Sequence, residues 1–172
     1  MRNSALHYLG RYTATSAQLR RIMNRRIDRS LAVHGGDRAE AAEWLDELVG
    51  QLVEAGYLND RAYALARCEE LAARGASARM IRVKLRAKGL KSEDIDKALE
   101  ALTEASEDPE LQAAVAYARR RRLGPFRRGD SPDYSGRRKE YAALARQGFP
   151  MGLVRKVIDA ASEEELLGGD RT

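Results

Sequence analysis

The chain has 172 residues, 44% of them hydrophobic and 33% charged, with a net charge of +5. That suits one domain or two small ones with buried cores, and the excess charge points to an anionic partner, although many basic proteins bind no nucleic acid. One cysteine and two histidines exclude an internal disulfide and a structural zinc site, and no apolar run is long enough for a transmembrane helix, so a reducing, cytoplasmic setting is expected.

Ala, Leu, Arg and Glu dominate and Pro is rare, so helices are expected throughout and no sheet. In chain order the predicted helices are 3–12, 15–33, 38–55, 60–74, 77–88, 92–105, 109–122, 136–147 and 150–162. Thr15-Ser16-Ala17-Gln18 reads as a capping box opening the second helix. Gly35-Gly36 breaks the pattern after it. Trp44, beside Leu45 and Leu48, is expected in the core rather than as a base-stacking residue, and Tyr57 and Tyr63 are read as packing residues. Gly89 and Gly148 fall at C′ positions, and Asp108-Pro109 reads as an N-cap followed by an N1 proline.

An internal repeat organises these helices. Leu85, Gly89, Leu90, Ile95, Ala98 and Leu99 recur 59 residues later as Leu144, Gly148, Phe149, Val154, Val157 and Ile158. Leu9, Thr15, Leu19 and Met23 recur at an offset of 62 as Leu71, Ser77, Ile81 and Leu85. Leu45, Leu48, Val49 and Leu52 recur at an offset of 50 as Ile95, Ala98, Leu99 and Leu102. The change of offset implies about 12 extra residues in the first copy. The bland alternative is that any helical chain rhymes with itself, but six anchors sharing one offset favour a true repeat. The expected fold is therefore all-α, in tandem three-helix repeats. They cover 1–58 with an insertion near 30–41, 59–106 and 107–165, and a disordered tail follows over 166–172. Cys68 maps onto Leu6 and is read as a small core residue.

Charge alternates with the repeat. Net charges are +6 over 1–36, −6 over 37–60, +6 over 61–90, −6 over 91–110, +9 over 111–156 and −4 over 157–172. The first two helices of each copy are thus basic and the third acidic. Internal ion pairing is one reading of this pattern. A basic surface facing a polyanion is the other, and the favoured one. The candidate binding residues are Arg20 and Arg21; Arg79, Arg82, Lys84, Arg86 and Lys88; Arg119, Arg120, Arg121 and Arg122; Arg127 and Arg128; and Arg137, Arg138 and Lys139. Arg79, Arg82 and Arg86 form one stripe at i, i+3 and i+7, suited to a row of phosphates, though snorkelling around a core helix is the duller account. Residues 123–136 form a Gly/Pro/Ser-rich loop that either closes over a partner or simply connects. No catalytic constellation, phosphate loop or metal-ligand spacing is present, so no enzyme activity and no cofactor are expected.

Three motifs in order carry a family resemblance. The first is Gly56-Tyr57-Leu58-Asn59-Asp60-Arg61-Ala62-Tyr63-Ala64. The second is Arg74-Gly75-Ala76-Ser77 followed by Ile81-Arg82, Leu85 and Lys88-Gly89-Leu90. The third is Leu144-Ala145-Arg146-Gln147-Gly148-Phe149. Together the chain resembles the RecX family over about residues 4–160, and the insertion resembles longer alphaproteobacterial members. Asn59, Gln18 and Gln147 depart from the usual Asp, Glu and Arg of that pattern. The resemblance implies an elongated, curved array that binds along the RecA filament and modulates, mainly by inhibition, its recombinase, ATPase and coprotease activities. It also implies direct affinity for DNA, single-stranded first and double-stranded second, and a monomer is expected. Two other functions stay open: a general DNA-binding helical regulator acting without RecA, and a helical adaptor for an acidic protein.

Overall fold

The computed structural model describes residues 1–129 and 133–168, and among them there are helices and turns but no strand. The helices are α1 (Arg2–Leu9), α2 (Ser16–His34), α3 (Arg38–Glu54), α4 (Asp60–Ala73), α5 (Ala78–Ala87), α6 (Ser92–Glu104), α7 (Pro109–Arg121), α8 (Tyr134–Arg146), α9 (Met151–Asp159) and α10 (Glu163–Leu167). The chain divides into two compact units, Met1–Ala66 with Leu85–Asp96, and Arg67–Lys84 with Lys97–Thr172.

In the first unit α2 packs on α3. Leu19, Met23 and Ile27 of α2 face Leu45, Leu48, Val49 and Leu52 of α3, and Ala5 of α1 closes the cluster. These residues recur at helical spacing, so one stripe of each helix is removed from water. Thr15 starts α2 with a complete capping box: its hydroxyl accepts from Gln18 N–H and the Gln18 side chain accepts from Thr15 N–H. In the second unit Leu144 of α8, Phe149 of the turn after it, and Val154, Val157 and Ile158 of α9 form one core cluster with Leu111, Ala114, Val115 and Ala118 of α7, and Leu166 of α10 joins them. Asp108 caps α7, accepting from Leu111 N–H at 2.9 Å, with Pro109 at N1.

Two glycines allow close helix approaches. Gly89, at φ +81°, lies where a Cβ would stand 2.3 Å from the Ala17 Cβ. Gly148, at φ +92°, lies where a Cβ would meet Ser77 Oγ at 3.0 Å and Arg79 Cβ at 3.2 Å. Ala17 and Arg79 are 62 residues apart, as are Thr15 and Ser77, so the same approach recurs at the repeat offset.

The structure corrects several sequence expectations. Trp44 is 56% exposed rather than buried, because the inward stripe of α3 runs through Ala41, Leu45, Leu48 and Leu52 and leaves residue 44 on its flank. There Trp44 borders an apolar groove with Met1, Met23, Ile27 and Leu31. Tyr57 is 61% exposed in the turn after α3, while Tyr63 is half-buried. The helix expected over 150–162 stops at Asp159, and Ser162 caps α10 by accepting from Glu165 N–H. Leu166 and Leu167, expected in a disordered tail, belong to α10, and Leu166 is buried. The rest of that tail, from 169 on, and positions 130–132 of the expected loop lie outside the described residues. Within that loop Gly124–Phe126 form a 3-10 turn.

Candidate nucleic-acid interface

Helix α5 is the most sharply two-sided element. Ile81 and Leu85 are buried, whereas Arg79, Val83, Lys84 and Arg86 are exposed. At about 100° per residue, Arg79, Arg82 and Arg86 fall within roughly 60° of one another on the outward side, and Lys84 lies on the opposite flank. Arg79 and Arg86 have no carboxylate partner among the described residues. Arg82 is half-buried and engaged, and its charge opposes the burial that pushes the Cys68 thiol up to about 11. Lys88 follows the helix, half-buried, with its carbonyl held by the Thr15 hydroxyl at 2.7 Å.

The remaining candidates separate by partner. Arg20 pairs with Asp46, while its neighbour Arg21 is exposed. At the end of α7, Arg119 pairs with Glu163 and lies over the Phe126 ring, 5.4 Å from its centroid. Arg120 lies over Tyr117 at 5.7 Å. Arg121 and Arg122 are exposed, the latter in the left-handed region at φ 57°. Four cations at this helix end also complement its dipole. Arg127 makes a two-point bond to Glu140, Nε to Oε1 at 3.1 Å and Nη2 to Oε2 at 2.6 Å, with the two side chains only 22% and 11% exposed. It therefore ties the turn to α8. Arg128, Arg138 and Lys139 are exposed.

Arg137 is held in place from two sides. Its Nη2 donates to Asp159 at 2.6 Å and its Nε to the Tyr141 hydroxyl at 3.4 Å. Tyr141 in turn donates to Asp159. The Tyr141 hydroxyl and then Arg137 hold the Asp159 carboxyl below its usual range, and Tyr141 and then Asp159 raise the Arg137 guanidinium. Tyr134, not among the residues singled out from sequence, is 84% exposed at the start of α8. The signal was the i, i+3, i+4, i+7 series Tyr134, Arg137, Arg138, Tyr141, hidden because the helix was expected to begin at 136. Among the described residues no cluster of three metal-ligating side chains exists, and no helix is long and apolar enough to cross a membrane.

Over 161 residues the chain is 47% identical to the regulatory protein RecX of Myxococcus xanthus, covering 93% of this chain and 84% of that protein. The chain belongs to the RecX family. The regulatory protein RecX of Agrobacterium fabrum is 33% identical over 163 residues, covering 95% and 84% of the two chains. Residues 59–99 match the family model for the second three-helix domain of RecX. The crystal structure of RecX from Lactobacillus salivarius superposes with a TM-score of 0.66 at 19% identity, covering 93% of each chain, which supports the fold. A second RecX crystal structure gives 0.63 at 20% identity over 92% of this chain and 70% of that one. The three departures from the RecX pattern leave local structure intact. Asn59 still caps α4, accepting from Ala62 N–H at 2.9 Å, Gln18 completes the capping box, and Gln147 uses its backbone carbonyl to accept from Ser77.

Proposed function

We propose that this RecX-family protein is a non-enzymatic regulator that binds the RecA–DNA filament and modulates, mainly by inhibition, its recombinase, ATPase and coprotease activities. It acts in the cytoplasm as a monomer, without a cofactor, through three repeat units over 1–58, 59–106 and 107–165. The observation that carries this reading is on α5: Arg79 and Arg86 project outward from a helix whose other face is core, and neither has a carboxylate partner among the described residues. Exposed pairs contribute only about 0–1 kcal/mol each, so stability gives little reason to line up such cations. A polymer of phosphates does. Arg21 in the first unit, and Arg121, Arg122, Arg128, Arg138 and Lys139 in the second, are exposed like them and are further proposed contacts. Arg20, Arg119, Arg127 and Arg137, which hold intrachain carboxylates, position the elements of their own units. The name carried by the relatives, regulatory protein RecX, supports the same reading.

The test is ATP hydrolysis by RecA on single-stranded DNA with this protein added below stoichiometry. The rate should fall, and Arg79→Ala with Arg86→Ala should relieve the effect while leaving the fold intact. An unchanged rate, strand exchange and filament length with the unaltered protein would reject the proposal.

A further inference from the structure

Tyr134, Arg137, Arg138 and Tyr141 line one cleft of about 310 Å³ on α8. Its parts differ in exposure and in hydrogen bonding. Tyr141 is half-buried against the core of the second unit and its hydroxyl donates to Asp159. Arg137 is locked by the same carboxylate. Tyr134 and Arg138 are the opposite case: the tyrosine is 84% exposed, and the arginine is exposed with no carboxylate partner among the described residues. Among the described residues, Asp133 and Asp159 both have hydrogen-bond partners. Asp133 caps the helix by accepting from Gly136 N–H at 2.7 Å, and Asp159 is taken by Arg137 and Tyr141. The cleft thus combines an open aromatic face, a guanidinium with no carboxylate partner among the described residues and a hydrogen-bonded floor.

We propose that this cleft binds one nucleotide of single-stranded DNA, the base stacking on the Tyr134 ring and the adjoining phosphate resting on the Arg138 guanidinium. The inference rests on the DNA-binding part of the function proposed above and assigns it a strand type and a site. Stacking on an aromatic face tolerates any base but needs one unpaired from its complement. A duplex hides its base faces, so this site discriminates between the two forms of DNA. An acidic protein partner would satisfy Arg138 but leave the Tyr134 ring in water.

The experiment is equilibrium binding, without RecA, of a fluorescently labelled oligothymidylate, the same length of strand lacking bases, and a duplex. Tyr134→Ala and Tyr134→Leu should weaken oligothymidylate binding on the order of tenfold, and Tyr134→Trp should restore it. Neither weakening variant should change affinity for the baseless strand or the duplex. Arg138→Gln should lower the salt slope on single strands by roughly 0.7, as loss of one phosphate contact requires. Because Tyr134 is exposed, thermal unfolding should be unaltered in all variants. Equal affinity of the Ala and Leu variants for oligothymidylate, or an equal loss on the baseless strand, overturns the stacking site. Regulation of the filament is judged separately by the ATPase assay, so either reading can fail while the other stands.

Discussion

The Thr15 hydroxyl donates to the Lys88 carbonyl at 2.7 Å across 73 residues of chain. The Ser77 hydroxyl donates to the Gln147 carbonyl in the same way. Thr15 and Ser77 are the buried polar side chains among the described residues, and each also caps its own helix by accepting an N–H, from Gln18 and from Met80. Each hydroxyl thus serves one helix start and one helix end, where carbonyls lack intrahelical partners. A third bond recurs beside them: Asp60 accepts from Ser16 N–H at 2.8 Å, and Glu110 from Ala78 N–H at 3.0 Å. The repeat is therefore a repeat of joints as well as of helices.

Thr15→Val keeps shape and removes both roles. It should lower unfolding free energy by about 2 kcal/mol, the sum of a lost cap and a buried carbonyl left unsatisfied. Urea denaturation measures it. Thr15→Ser, which keeps the hydroxyl, should cost much less, and equal losses for the two variants would refute the joint.

Gly89→Ala should destabilise by about 1–3 kcal/mol from backbone strain alone, and by more where the new Cβ meets Ala17. Ala17→Gly removes that obstacle, so the double variant should be more stable than the two single costs predict. A double-mutant cycle gives the coupling directly. Strict additivity would mean that the two helix ends do not touch.

The helices and their core stripes could be read from spacing because periodicity reports one face at a time. The capping box, the Asp108 cap and the glycine C′ positions could be read because each has a local residue signature. Trp44 was misplaced because sequence neighbours in a helix point about 100° apart, and adjacency to Leu45 says nothing about sharing its face. The pairing of Arg127 with Glu140, 13 residues away across a turn, has no periodic signal, nor has that of Arg119 with Glu163. Spacing alone therefore does not separate the arginines that hold intrachain carboxylates from those that stand exposed.

Glu110 borders an apolar cavity of about 270 Å³ with Ile81, Leu99 and Leu102. Burial raises its pKa above 4.5, Asp108 adds to the rise, and the Ala78 N–H opposes it. A folded pKa above the unfolded one means that the folded state holds the proton more tightly. Ionising Glu110 therefore costs stability as pH rises through 4.5, and the cost vanishes below it. Glu110→Gln mimics the protonated form and keeps an acceptor for Ala78. Relative to the unaltered protein it should gain stability between pH 4 and pH 7, compared by urea midpoints, and a gain that shrinks over that range would contradict the burial argument.

Cys68 is fully buried, and burial first, then Glu69, push its thiol up to about 11 against the pull of Arg82. The thiolate is the reactive species, so little of it exists at neutral pH. An aromatic disulfide reagent should label the native protein at pH 8 only as fast as it opens, and label it at once in urea. Rapid labelling of the folded chain would place the thiol at the surface.

The two kinds of arginine should fail in different assays. Arg127 and Glu140 are mostly shielded from water and joined at two points, so removing one partner strands a charge in a poorly solvated place. Arg127→Met should cost about 3 kcal/mol of stability, and adding Glu140→Leu should recover much of it, because a buried pair is weak against an apolar replacement but strong against its own half. Arg86→Ala should change stability by under about 0.5 kcal/mol, as exposed positions do. It should instead lower the salt dependence of single-stranded DNA binding by about 0.7 in slope. If Arg86→Ala unfolds the protein while leaving that slope alone, α5 is a structural helix and its outward cations have no polyanion to meet.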